Sequence, residues 1–164
     1  MKFIIDSNIL ITAWRDTYPR ETFGSFWTSL KERIELGEIV VCESVFNEIK
    51  KGNDDLWVWL SSFVSESHIV VEKPSADNII ASYRVVIAQA NSNPNYKSSA
   101  ISAFADNADG WIIAHALANN YIVVTEEKSS FESKKSVKIP DICSSLGVQF
   151  TNTVGMLKLL KVSF

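Results

Sequence analysis

Four acidic side chains occupy positions from which a fold can gather them. Asp6 follows the apolar run Phe3-Ile4-Ile5, and Glu48 lies in Val45-Phe46-Asn47-Glu48-Ile49. Asp109 lies in Ala108-Asp109-Gly110-Trp111-Ile112-Ile113-Ala114, and Glu127 comes just after Tyr121-Ile122-Val123-Val124-Thr125. Carboxylates drawn into one half-buried cleft raise one another's pKa unless they share protons or a cation neutralises them. An all-oxygen donor set suits Mg2+ or Mn2+. The chemistry such a site supports is hydrolysis of a phosphodiester, in which the metal lowers the pKa of a bound water and offsets charge on the phosphoryl oxygens. Other chemistries lack their parts. There is no Gly-x-Ser-x-Gly and no Walker loop, and the two histidines, His68 and His115, have no Ser or Cys partner near them in sequence. Asp6-Ser7-Asn8 also lacks the second acid of an Asp-x-Asp phosphatase.

The elements that must position these acids alternate between strand and helix. Residues 2–5 read as a strand that ends at Asp6, with a helix starting near Asn8. Phe23, Phe26, Trp27, Leu30 and Ile34 recur at helical spacing over 21–36, and Gly37 follows as a C-cap. Ile39-Val40-Val41-Cys42 is a β-branched run, and a helix opening at Ser44 carries Glu48. Asp54 or Asp55 caps a further helix through Phe63-Val64, and 68–71 returns to strand pattern. A helix fills 76–91, a Pro- and Asn-containing loop covers 91–97, and a helix over 106–119 feeds the strand 121–124. Residues 137–139 and 147–150 read as short strands before a C-terminal helix over 154–160. This alternation predicts an α/β fold with a mostly parallel sheet covered on both faces. Sites in such sheets form at the C-terminal ends of the strands, where Asp6 and Glu127 fall.

Composition sets the outer bounds. The chain has 164 residues, 46% of them hydrophobic, enough for one domain (1–164) with a substantial core. Six Gly and four Pro rule out collagen-like and low-complexity classes. Cys42 and Cys143 stand far apart with no Cys-x-x-Cys, which disfavours a zinc ribbon or a disulfide scaffold and fits a reduced, cytoplasmic setting. Asp6 interrupts the N-terminal apolar run too early for a secretory or membrane segment. The net charge of −3 argues against a uniformly basic nucleic-acid surface. The charge is uneven, with six basic against four acidic side chains in 126–164, which allows a basic rim beside an acidic site.

Taken in order, Phe3-Ile4-Ile5-Asp6-Ser7-Asn8, Glu48, Ala108 to Ala114 and Val123-Val124-Thr125-Glu126-Glu127 resemble the motifs of PIN-domain ribonucleases, the fold of VapC-type toxins. The resemblance implies a three-layer αβα sandwich and a Mg2+- or Mn2+-dependent endoribonuclease. It also implies an RNA substrate, an antitoxin protein as a partner, a homodimer and no membrane. It makes Asp6 and Asp109 the principal metal ligands, with Glu48 and Glu127 completing the set and Asn8 and Thr125 supporting them by hydrogen bonds. The family commonly has Thr-x-Asp where this chain has Thr125-Glu126-Glu127, so Glu126 stands beside Glu127 as an alternative fourth acid. That departure keeps open a second class, a catalytically incomplete PIN-fold module that binds RNA or protein.

Asp106 lies three residues before Asp109 and reads as a cap or supporting group, and His115 falls about 240° round the helix from Asp109, away from it. The five tryptophans recur at helical spacing and read as packing rather than as a base-stacking surface. Lys128, Lys134, Lys135 and Lys138 follow the fourth motif, where they either hold substrate phosphates or form a solvated loop. Glu48 has a blander alternative, a surface pair with Lys51.

Overall fold

In a computed structural model, which describes residues 1–64, 69–70 and 77–162, five strands form one sheet in the order β3-β2-β1-β4-β5. They are β1 (Phe3–Ile5), β2 (Ile39–Cys42), β3 (Ile69–Val70), β4 (Ile122–Val124) and β5 (Phe150–Thr151), and every pairing is parallel. Nine α-helices lie among the described residues: α1 (Ser7–Thr12), α2 (Gly24–Glu35), α3 (Glu43–Gly52), α4 (Asp55–Ser61), α5 (Asp77–Ser92), α6 (Ser98–Asp106), α7 (Asp109–Asn119), α8 (Ile139–Leu146) and α9 (Thr153–Leu159). A π-helical turn, Ala13–Thr17, continues α1. The architecture is α/β, a three-layer αβα sandwich.

Every residue of β1, β2 and β4 is buried, the unbroken apolar pattern of parallel strands covered on both faces. Helix α7 packs across β1, β2 and β4, and α5 and α8 pack against it. Trp14, Trp27 and Trp59 join the π-helical turn, α2 and α4, with ring centroids 4.9 Å apart for Trp14 and Trp27 and again for Trp27 and Trp59. The packing role read for the tryptophans therefore holds here, and the Trp27 indole N–H also donates to the Tyr18 carbonyl at 2.7 Å.

The strand order places a topological switch point between β1 and β4. From β1 the chain moves outward to β2 and β3, then crosses to β4 and β5 on the other side. In open parallel sheets, ligand sites form in the crevice outside the C-terminal ends of the strands at such a point.

Several element boundaries differ from the sequence reading. The helix expected over 106–119 is α7, which starts at Asp109 rather than 106 because Asn107 is extended (φ −105°, ψ −178°) and its side chain accepts the Asp109 N–H. Asp106 instead ends α6, a helix the sequence reading did not assign. Helix α6 leaves little trace in the apolar pattern because Ala100 and Phe104 are its buried side chains, too sparse a stripe to read as a period. Residues 137–139 form no strand. Ile139 opens α8, and Pro140, lacking an amide N–H, fits its first turn. Helix α4 ends at Ser61, before Phe63-Val64, and the strand read over 68–71 is described at Ile69–Val70, its ends lying outside the described residues.

Candidate active site

At the end of β1 the backbone N–H of Asp6 still donates to the Val124 carbonyl at 3.0 Å, as a strand residue would. Asp6 then turns into α1 as its N-cap, with its carboxylate accepting the Asn8 backbone N–H at 3.4 Å. The side chain is 1% exposed. Its second oxygen accepts the Thr125 hydroxyl at 3.2 Å, and Ser7 Oγ donates to the first at 3.4 Å. Thr125 is pinned by its own N–H to the Thr151 carbonyl at 3.0 Å, and its Oγ1 accepts the Glu127 N–H at 3.1 Å. One threonine thus links the ends of β1 and β4 and sets where Glu127 begins.

Asp109 reaches the same crevice from the first turn of α7. Asn107 grips it twice: Asn107 Oδ1 accepts the Asp109 backbone N–H at 2.9 Å, and Nδ2 donates to the Asp109 carboxylate at 2.9 Å. The sequence reading missed Asn107. An Asn two residues before an acid that opens a helix is a capping signal, hidden here because the helical reading runs straight through it. Glu48 lies exposed on α3, and among the described residues no ion pair joins it to Lys51.

The electrostatics tie these four acids together. Burial, then the charges of Asp6 and Glu127, push the Asp109 carboxyl up to about 7, with Glu48 adding to the rise and the Asn107 hydrogen bond opposing it. Asp6 is also raised, first by burial and then by Glu127 and Glu48, against the Asn8 and Thr125 hydrogen bonds. The charges of Glu48 and Glu127, from two further segments, thus reach both aspartates.

The supporting residues divide. Thr125 bonds Asp6 through its side chain, whereas Asn8 does so through its backbone and its side chain is exposed. Glu126 turns the other way, its Oε1 accepting the Thr153 N–H at 3.0 Å at the start of α9. Of the two alternatives for the fourth acid, Glu127 is the one that acts on Asp6 and Asp109. Asp106 is exposed at the end of α6 and takes no part in the shifts of either aspartate. His115 is fully buried inside α7, away from this crevice.

The donor set fits a hard divalent cation in chemistry: every donor is an oxygen, and the two aspartates are raised toward protonation first by burial and then by the neighbouring carboxylates. In position the fit is partial. Glu127 Oε1 is 3.0 Å from Lys138 Nζ and Oε2 accepts the Ile139 N–H at 2.9 Å. Among the described residues no three carboxylate, His or Cys groups are drawn close enough to hold an ion as they stand.

A three-layer αβα fold with an acidic crevice at its switch point is a class that many unrelated chemistries share. Within it, residues 3–164 match the model of a family described as "Domain of unknown function (DUF4411)", and the chain belongs to that family. No curated protein and no solved structure matches the chain. No helix of the described residues is long and apolar enough to cross a membrane.

Proposed function

We propose that this chain is a PIN-type, metal-dependent endoribonuclease that hydrolyses RNA phosphodiester bonds. The observation that carries this is that Asp6 and Asp109 are largely buried near the ends of β1 and β4 and are raised first by that burial and then by Glu127 and Glu48, so that charges from β1, α3, α7 and the end of β4 bear on the same pair. An excess of carboxylate at a switch point is costly to the apoprotein and useful only with a cation.

Asp6, Asp109, Glu48 and Glu127 would hold Mg2+ or Mn2+. Bound there, the metal supplies a water of lowered pKa and offsets negative charge on the phosphoryl oxygens. Thr125 keeps one Asp6 oxygen oriented, and Asn107 does the same for Asp109, so both carboxylates present fixed lone pairs. Glu127 must exchange its contacts with Lys138 and the Ile139 amide to join them. By the same reading the protein is a cytoplasmic toxin, held in check by an antitoxin protein whose segment covers the crevice.

A second reading, a PIN-fold binding module without catalysis, is favoured by the engagement of both Glu127 oxygens. Incubating a pool of structured RNAs with Mn2+, Mg2+ or EDTA separates the two. The nuclease reading expects metal-dependent cutting by the wild type that is lost in folded Asp6→Asn and Asp109→Asn proteins. RNA retained but uncut in every metal leaves the binding module.

A further inference from the structure

Two hollows carry the acids, Glu48 in one and Asp109 with Glu127 in the other, and Asn107, which grips Asp109, lines both. The larger, about 510 Å3, lies between α3 and the α6–α7 turn and is walled by Asn47, Glu48, Lys51, Asn107 and Trp111. The smaller, about 180 Å3, is lined by Asp109, Glu127, Lys135 and Lys138, with Lys138 Nζ 3.0 Å from Glu127 Oε1. Their chemistries differ.

The larger hollow offers an aromatic surface, two primary amides, one cation and two carboxylates, Glu48 and Asp106. Trp111 is half-buried and stacked on Tyr83, with ring centroids 3.9 Å apart and planes 14° apart, and Tyr83 is itself tied to the Ala105 carbonyl by its hydroxyl at 2.9 Å. That stack fixes the indole, and Trp111 still lines the hollow. Asn47 brings a donor and an acceptor, the pairing that reads a base edge, whereas both polar side-chain atoms of Asn107 are bonded to Asp109. The volume falls in the range of pockets that accept a ligand of this size. The smaller hollow holds two lysines beside two acids, which suits a phosphate lying against a cation at the carboxylates.

We infer that the larger hollow is a nucleobase subsite for an unpaired nucleotide beside the scissile phosphate, with the neighbouring phosphate received by Lys135 and Lys138. The inference rests on the nuclease reading and adds to it a surface of this chain that receives one unpaired base. A duplex cannot enter, because its bases are stacked and paired, whereas a splayed base can reach Trp111 and the Asn47 amide.

The test uses fluorescence polarisation with the Asp109→Asn protein in Mg2+, so that binding is read without cutting. The probes are fluorescein-labelled single-stranded RNA hexamers, the same length of abasic ribose-phosphate chain, and an RNA duplex. The expected result is binding of the hexamers at least about 10-fold tighter than the abasic chain or the duplex, within the range that stacking one base confers. Adding Asn47→Ala, at an exposed position on α3, should weaken hexamer binding several-fold and leave the abasic chain unchanged. Lys135→Ala should weaken hexamer and abasic chain alike. Equal affinity for hexamer and abasic chain, or an Asn47→Ala protein that binds both as before, overturns the base subsite even if the wild type cuts RNA. Absence of any RNA binding together with absence of cutting overturns the nuclease reading itself, and the subsite with it.

Discussion

Replacing Asp109 by Asn should make the metal-free protein more stable, which is the reverse of the usual result at a well-packed helix start. In the wild type, folding moves the Asp109 carboxyl from 3.8 up to about 7. The folded state therefore binds more protons than the unfolded state between those values, so stability falls as pH rises from about 4 to about 7 and stays low above that. At about 1.36 kcal/mol for each tenfold change in proton affinity, that rise corresponds to at most about 4 kcal/mol. Asn removes the charge and keeps an oxygen to accept the Asn107 Nδ2 bond, but it forfeits about 0.3–1 kcal/mol of favourable interaction with the α7 dipole. Partial exposure of the side chain reduces the remainder, leaving a net gain of about 1–3 kcal/mol. For a chain of this size that is a Tm rise of roughly 3–9 °C at about pH 8 in EDTA. Thermal unfolding of both proteins across the pH range reads it. The difference should shrink steadily as pH falls through 7 toward 4, and added Mg2+ should stabilise the wild type more than the variant. A Tm gap independent of pH, or a less stable variant at pH 8, would refute the claim that burial, reinforced by the neighbouring acids, makes the charged Asp109 carboxylate costly to the fold.

Other consequences follow from neighbouring groups. Thr125→Val removes the hydroxyl that donates to Asp6 and accepts from the Glu127 N–H, and should lower stability by about 1–3 kcal/mol in a denaturant titration. His115 is buried and pushed down to about 4, and neither ring nitrogen has a hydrogen-bond partner among the described residues. Its unfolded form takes a proton below about 6.5 that the folded form refuses until about 4, so stability drops through that window, and His115→Leu should flatten the drop in an acid unfolding profile. Gly110→Ala puts a Cβ 3.0 Å from the Tyr83 ring, in the wall behind the Trp111 stack, and should cost about 1–3 kcal/mol by the same denaturant assay.

The strands that carry the site are readable because central parallel strands are apolar throughout, and Phe3-Ile4-Ile5, Ile39 to Cys42 and Ile122 to Val124 leave no polar position to confuse the pattern. Asp6 and Glu127 are readable because each follows such a run, and Glu48 and Asp109 because each sits within an apolar helical pattern. What escapes the sequence is set by tertiary contact. The break at Asn107 depends on a side chain choosing the Asp109 amide over a continued helix, which apolar periodicity does not register. The opposite orientations of adjacent Glu126 and Glu127 depend on which helix N-terminus each reaches, α9 for one and α8 for the other. Lys138 is visible only as one charge in a basic run, and its pairing with Glu127 needs the chain to fold back over eleven residues.

The claim on which the account turns is that the crevice is a cation site, and a calorimetric Mn2+ titration of wild type and Asp109→Asn at several pH values tests it most directly. The account predicts wild-type affinity that climbs with pH up to about 7, as the proton on Asp109 ceases to compete, then levels off, with binding much weakened in the variant. Absence of Mn2+ binding by the wild type at every pH, or equal binding by both proteins, would contradict it.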